Sequence, residues 1–196
     1  MALGRATRAP ISDLLDVSRV EAGKLTLESK PFELGQVIDA CVHQAHRELG
    51  ARPVQVLGRE QALFVVADAF RVEQVLMNLL SNAFKYSTPG SPIEVRISAT
   101  GIFVTVDVHN EGDGIPVTDQ PYVFDRFYRT DSGLTREVGG VGLGLFICKR
   151  LVEVMGGELW LQSLPGRGCT LSLTMPLAPS QSGVSEAPGS VPARTS

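Results

Sequence analysis

Residues 78–87 read Asn-Leu-Leu-Ser-Asn-Ala-Phe-Lys-Tyr-Ser. Upstream and within this stretch, Val72, Val75, Leu76, Leu79, Leu80 and Ala83 recur at three- and four-residue intervals. That spacing predicts an amphipathic helix over residues 69–86 with one face turned to a core. Asn78 and Asn82 then stand at i and i+4, so both amides point the same way, with Lys85 three residues further along the same side. Two neutral carbonyl oxygens and an ammonium on one face suit a Mg²⁺ ion and phosphate oxygens, because Mg²⁺ takes hard oxygen ligands and keeps part of its water. A solvated polar helix face is the competing reading.

Working outward, residues 33–49 carry Leu34, Val37, Ile38, Cys41, Val42, Ala45 and Leu49, a second amphipathic helix. A third is expected over residues 141–156 and a shorter one over 11–22, with Gly23 to stop it. Strand-like runs fall at 25–32, 53–57, 63–68, 93–100, 102–109, 157–164 and 169–176, with Gly101 marking a hairpin. Residues 110–139 lack periodicity, and loops of that length in compact domains are functional or mobile. This order predicts an α+β fold: a two-layer α/β sandwich with a mixed, mostly antiparallel sheet and three helices on one face.

Four further segments bear on chemistry. In HNEGDGIP (109–116), Asn110 ends a strand beside Gly112 and Gly114, where a polar side chain can meet a flat polar ring; a plain turn is the alternative. In GGVGLGL (139–145), Gly140, Gly142 and Gly144 open a helix whose exposed N–H groups favour phosphate, against close helix packing as the alternative. A dinucleotide fingerprint fails there, since glycine would be needed at Leu145 or Ile147, and a Walker A loop fails at Ser18 and Leu25. FDRFYR (124–129) offers Phe124 and Phe127 as anchors on the core, with Arg126 and Arg129 able to reach phosphate. GRGCT (166–170) suits a hairpin tip.

Composition narrows the function. The chain has 196 residues, 43% of them hydrophobic, with net charge −3, so a core can form and a basic nucleic-acid-binding stripe is not expected. Cys41, Cys148 and Cys169 are far apart and form no CxxC pair, which excludes a disulfide framework or zinc ribbon and fits a cytoplasmic location. No apolar run approaches the roughly 18 residues of a membrane helix. Residues 1–10 and 178–196 are expected to be disordered; the latter hold three Pro, two Gly and five Ser.

The order of these five motifs resembles that of the catalytic and ATP-binding domain of bacterial sensor histidine kinases, members of the Bergerat-fold ATPases that include DNA gyrase, MutL-type repair proteins and the ninety-kilodalton heat-shock chaperone. The resemblance covers roughly residues 11–177: 11–24 is similar to the end of the second dimerisation-domain helix, and 25–177 to the catalytic domain. It implies that Asn78 and Asn82 hold Mg²⁺, that Asn78, Lys85, Arg126 and Arg129 serve phosphoryl transfer, and that ATP lies against Asn82, Tyr86, Asn110, Gly112, Gly114, Ile115, Phe127, Gly140, Gly142, Leu143, Gly144 and Thr170. It also implies a mobile lid over 115–139. Asn110 stands where the family usually has an adenine-binding aspartate; an amide carbonyl still accepts a hydrogen bond, without the strengthening a charge gives. The hydrolytic relatives carry a glutamate where this chain has Asn78, and a neutral amide cannot act as a general base. Transfer to another group is therefore expected rather than hydrolysis.

The family's acceptor histidine stands in an HExxTP-like context. His43, His46 and His109 do not; His43 and His46 read as exposed helix residues and His109 as core or site lining. The acceptor is thus expected outside this chain, on a dimerisation domain, with a response regulator and a homodimeric parent, cytoplasmic or membrane-anchored, as further partners. A non-catalytic interaction module and an anti-sigma-type serine kinase are the alternatives.

Overall fold

The computed structural model describes residues 18, 22–50, 52–129 and 142–179. Most of the 11–22 helix, Gly140, the C-terminal part of the expected lid and residues 180–196 lie outside the described residues. Within them run β1 (Lys30–Glu33), α1 (Leu34–Leu49), β2 (Val54–Leu57), β3 (Phe64–Ala67), α2 (Ala69–Tyr86), β4 (Ile93–Thr100), β5 (Phe103–Asn110), a 3₁₀ turn (Gln120–Tyr122), α3 (Gly144–Val154), β6 (Leu159–Ser163) and β7 (Cys169–Pro176). Five strands form one sheet in the order β2-β4-β5-β7-β6; β1 and β3 form a second, antiparallel pair. Only β2 and β4 run parallel in the larger sheet.

One face of the sheet turns alternate residues of β4, β5 and β7 to the core. Ile93, Val95 and Ile97 of β4 and Val104, Val106 and Val108 of β5 face one core with Leu171, Leu173 and Met175 of β7. Leu34, Ile38 and Cys41 of α1, Leu76, Leu79 and Leu80 of α2, and Ile147, Leu151 and Val152 of α3 fill it from the other side. The architecture is the expected α+β sandwich, with α2 touching both other helices. Its polar face carries the residues of interest because its apolar face is fully used.

Local chemistry sets the element ends. Asp68 caps α2 by accepting from the Arg71 N–H (3.2 Å), and its other oxygen accepts from the Glu28 N–H (2.9 Å). That second bond explains why the strand expected at 25–32 begins only at Lys30. The Glu28 N–H is taken, and β3 offers four residues, Phe64 to Ala67, for pairing with Lys30 to Glu33. The helix expected from residue 141 starts at Gly144, since Gly142 has φ +74°, a left-handed turn that cannot continue a helix. Arg59 ties the start of α1 to its next turn by pairing with Glu33 (3.1 Å) and with Asp39.

Cys41 packs between α1 and α2, its Sγ–H directed at the Glu73 carbonyl (4.0 Å). Burial, reinforced by the nearby Glu73 charge, pushes its thiol from the ordinary 9.0 up to about 12. The folded chain therefore holds this proton more tightly than the unfolded chain. The stability this gives is complete below about pH 9 and is lost as pH rises through about 12. In urea titrations across that window, Cys41→Val should lose stability less steeply than the parent chain; equal slopes would refute the assignment.

Candidate functional site

Helix α2 presents Asn78 and Asn82 on its half-exposed side, one turn apart, the Asn82 Nδ2–H donating to Asn78 Oδ1 (3.2 Å). Gly144, the first residue of α3, lies directly against Asn78: a Cβ there would stand 2.6 Å from Asn78 Nδ2 and 2.9 Å from Oδ1. Glycine at 144 is thus what lets the N-terminus of α3 approach the Asn78 amide. Leu143 is 2% exposed and anchors that N-terminus in the core. The first N–H groups of a helix lack intrahelical partners and carry partial positive charge, so this end of α3 suits an anion. Among the described residues no group of three or more His, Cys, Asp or Glu is placed to hold a metal. The side-chain oxygen recorded at this corner is the amide Oδ1 of Asn78.

At its C-terminal end, α2 delivers Lys85 and Tyr86, the latter 48% exposed. The chain leaving it is stitched to the turn after β5, with the Thr88 N–H donating to Glu111 O (2.9 Å). Gly112 fits beneath the Tyr86 carbonyl, 2.3 Å from where its Cβ would be. Asn110 is 5% exposed, on the same side of the sheet as Val108. Its Nδ2–H donates to Glu111 O (3.3 Å), and its Oδ1 accepts from Cys169 Sγ–H (3.8 Å).

A clamp that the sequence did not announce holds the next residues. Ser163 Oγ accepts from the Ile115 N–H (2.8 Å) and donates to Gly168 O (2.9 Å). Gln120 Nε2–H reaches both Ile115 O (2.9 Å) and Ser163 O (3.1 Å). The Gly166 N–H donates to Asp113 O (2.8 Å). The NEGDGI turn is therefore bolted to the β6–β7 hairpin, and Gly114 sits in that junction. Only a local hydroxyl near a glycine-rich tip hinted at this.

The FDRFYR segment divides differently from the expectation. Phe124 packs on the core, but Phe127 is 60% exposed. Its φ of +61° turns the chain so that its N–H meets Gly142 O (2.9 Å) while the ring faces outward. Arg126 lies over the Phe146 ring of α3 at 4.8 Å, and Lys149 over Phe124 at 5.1 Å. Arg129 is exposed and follows on the same segment.

Thr170 and His109 also depart from expectation. The two pair across β5 and β7, Thr170 Oγ1 lying 2.9 Å from His109 Nδ1. His109 alternates with the buried valines of β5 and Thr170 with buried Leu171 and Leu173 of β7, so both face away from the helices, and His109 is not a core residue. The structure brings Cys169, not Thr170, opposite Asn110. Period-two alternation with buried Leu171 and Leu173 was the available signal. His43 and His46 bond backbone oxygens of Asp39 and Arg52 on the exposed side of α1, as expected.

Comparison with known proteins places the chain in a family. The family model described as "Histidine kinase-, DNA gyrase B-, and HSP90-like ATPase" matches residues 67–179. The chain belongs to this family, and it carries the family's ATP-binding catalytic domain in the form found in sensor histidine kinases. The circadian input-output histidine kinase CikA of Synechococcus elongatus is 34% identical over 170 residues, 85% of this chain and 22% of that protein. The signal transduction histidine-protein kinase BarA of Escherichia coli is 38% identical over 170 residues, 83% of this chain and 18% of its own. The solved mycobacterial sensor histidine kinase MprB aligns with TM-score 0.67 at 26% identity, covering 77% of this chain and 99% of that one. The chain spans 22% and 18% of the length of the two curated relatives. These relatives lend no support to a serine kinase or a non-catalytic module. Among the described residues no helix is long and apolar enough to cross a membrane.

Proposed function

We propose that this chain is the part of a two-component sensor histidine kinase that binds Mg-ATP and passes the γ-phosphoryl group to a histidine lying outside it. The observation that carries this reading is the corner where the Asn78 amide, joined to Asn82 one turn on, meets Gly144 at the open N-terminus of α3. The donor set fits Mg²⁺: hard, neutral oxygens, too few for a complete cage, which leaves the remaining positions to phosphate oxygens and water. Mg²⁺, when bound, neutralises phosphate charge. The rest falls to this chain. Asn78 and Asn82 orient the triphosphate, the α3 N–H groups accept its charge, Lys85, Arg126 and Arg129 meet its outer oxygens, and Asn110 meets the adenine amino group. Residues 115–139 form the lid, with 11–24 as the end of a dimerisation helix and 25–177 as the catalytic domain.

In the transfer itself, the bond from the γ-phosphorus to the β–γ bridging oxygen breaks and a phosphorus–nitrogen bond to imidazole forms. ADP leaves, and the imidazole proton passes to a base beside the acceptor, also outside this chain. Asn78 in place of a carboxylate leaves water unactivated here, and catalysis is positioning and charge neutralisation. A response regulator and a homodimeric, membrane-anchored or cytoplasmic parent complete the proposal. The test mixes this chain with a separately purified dimerisation domain and γ-labelled ATP. Acid-labile phosphate on the histidine is expected. Acid-stable phosphate on serine, or absence of nucleotide binding at millimolar Mg-ATP, would overturn the reading.

A further inference from the structure

An aspartate offers a base two equivalent acceptor oxygens, whereas an asparagine offers one acceptor and one donor, and half a turn about its last bond exchanges them. With Asn110 against the base, that half-turn decides which purine is bound. A 6-amino purine needs an acceptor there; a 6-oxo purine needs a donor. Asn110 is buried at the end of β5, where register pairs it with Cys169 of β7, and its two ends meet different neighbours. Oδ1 faces the Cys169 thiol (3.8 Å) and Nδ2 faces the Glu111 carbonyl (3.3 Å). A backbone carbonyl can only accept. A thiol donates and is a poor acceptor. Turning the amide over would set oxygen against oxygen at Glu111 and NH₂ against sulfur at Cys169, so both neighbours select the same orientation.

We infer that Cys169 is a specificity-positioning residue: together with the Glu111 carbonyl it locks the Asn110 amide with its oxygen outermost to a 6-amino purine nucleotide and against a 6-oxo one. The carbonyl oxygen has two lone pairs, so it serves the thiol and an incoming amino group together. Burial raises the Cys169 thiol to about 11, which keeps its proton in place at neutral pH. The inference rests on the reading that Asn110 faces the base, and the test separates the two.

ADP and GDP binding to the full chain, each with Mg²⁺, is measured by calorimetry. Cys169→Ala is expected to raise the GDP-to-ADP affinity ratio about five- to tenfold, the scale of one hydrogen bond. Cys169→Ser, whose hydroxyl can donate to Oδ1 or accept from Nδ2, should give a ratio between those of the parent and Cys169→Ala. In an Asn110→Asp background, whose carboxylate has no donor end, Cys169→Ala should leave the ratio unmoved. A purely structural role for Cys169 would weaken both nucleotides alike. An unchanged ratio in Cys169→Ala, with Asn110→Ala still weakening ADP, overturns the lock while sparing the base reading. ADP binding indifferent to Asn110→Ala overturns both. Should Cys169→Ala fail to fold, Cys169→Val, close in size and without a donor, takes its place, and an unchanged ratio there overturns the lock.

Discussion

Asn82→Ala is expected to bind Mg-ADP about 10- to 100-fold more weakly than the parent chain, the scale of one or two bonds to charged partners. The effect should be confined to binding. Asn82 is half-exposed on α2, and its described hydrogen bond is the one its amide donates to Asn78 (3.2 Å). Alanine is the best helix former, so α2 is kept and the urea midpoint should move little. Chelating Mg²⁺ should weaken ADP binding by the parent chain strongly and by the variant hardly at all. A variant that keeps the parent's Mg²⁺ dependence would remove Asn82 from the metal site, whatever its affinity.

Gly168→Ala should lose about 2–4 kcal/mol of folding stability in urea titrations, from a left-handed backbone together with a forced shift of packed groups. Gly168 has φ +84°, and a Cβ there would lie 1.9 Å from the Asn110 carbonyl oxygen and 2.8 Å from Glu111 Cα. Those are backbone atoms of the β5 end and cannot swing aside. Gly166, two residues away in the same hairpin, is the control: φ is +76°, but nothing lies within 4 Å of its Cβ position. Gly166→Ala should cost only about 1–2 kcal/mol, the left-handed conformation alone. Equal losses in the two variants would show that conformation, not the close approach to Asn110, fixes glycine at 168. Nucleotide affinity should follow the same order, since Gly168→Ala disturbs the strand end that carries Asn110.

The bounds of α2 follow from sequence residue for residue, because helical periodicity, an Asp68 cap and a Ser87 stop are all local. The β4–β5 hairpin and β7 were legible for the same reason. What failed did so where a distant partner intervened. The strand at 25–32 was shortened by Asp68 and by the four residues of β3. Phe127 reads as an anchor by its side chain, but its positive φ turns it outward. The family resemblance put Thr170 against the nucleotide, while strand register gives the place opposite Asn110 to Cys169.

By itself the sequence determined the elements, the order of the five motifs and the residue types available for amide, ammonium and phosphate chemistry. These depend on neighbours within a turn or two, and a periodic pattern records such neighbours directly. Only the tertiary structure decided which of those residues meet. It set Gly144 against Asn78, bolted Ile115 to Ser163 and Gln120, and paired Asn110 with a thiol 59 residues away. Strand pairing and helix packing choose such contacts. Their registers are fixed by the burial of the whole sheet face, which no single segment encodes.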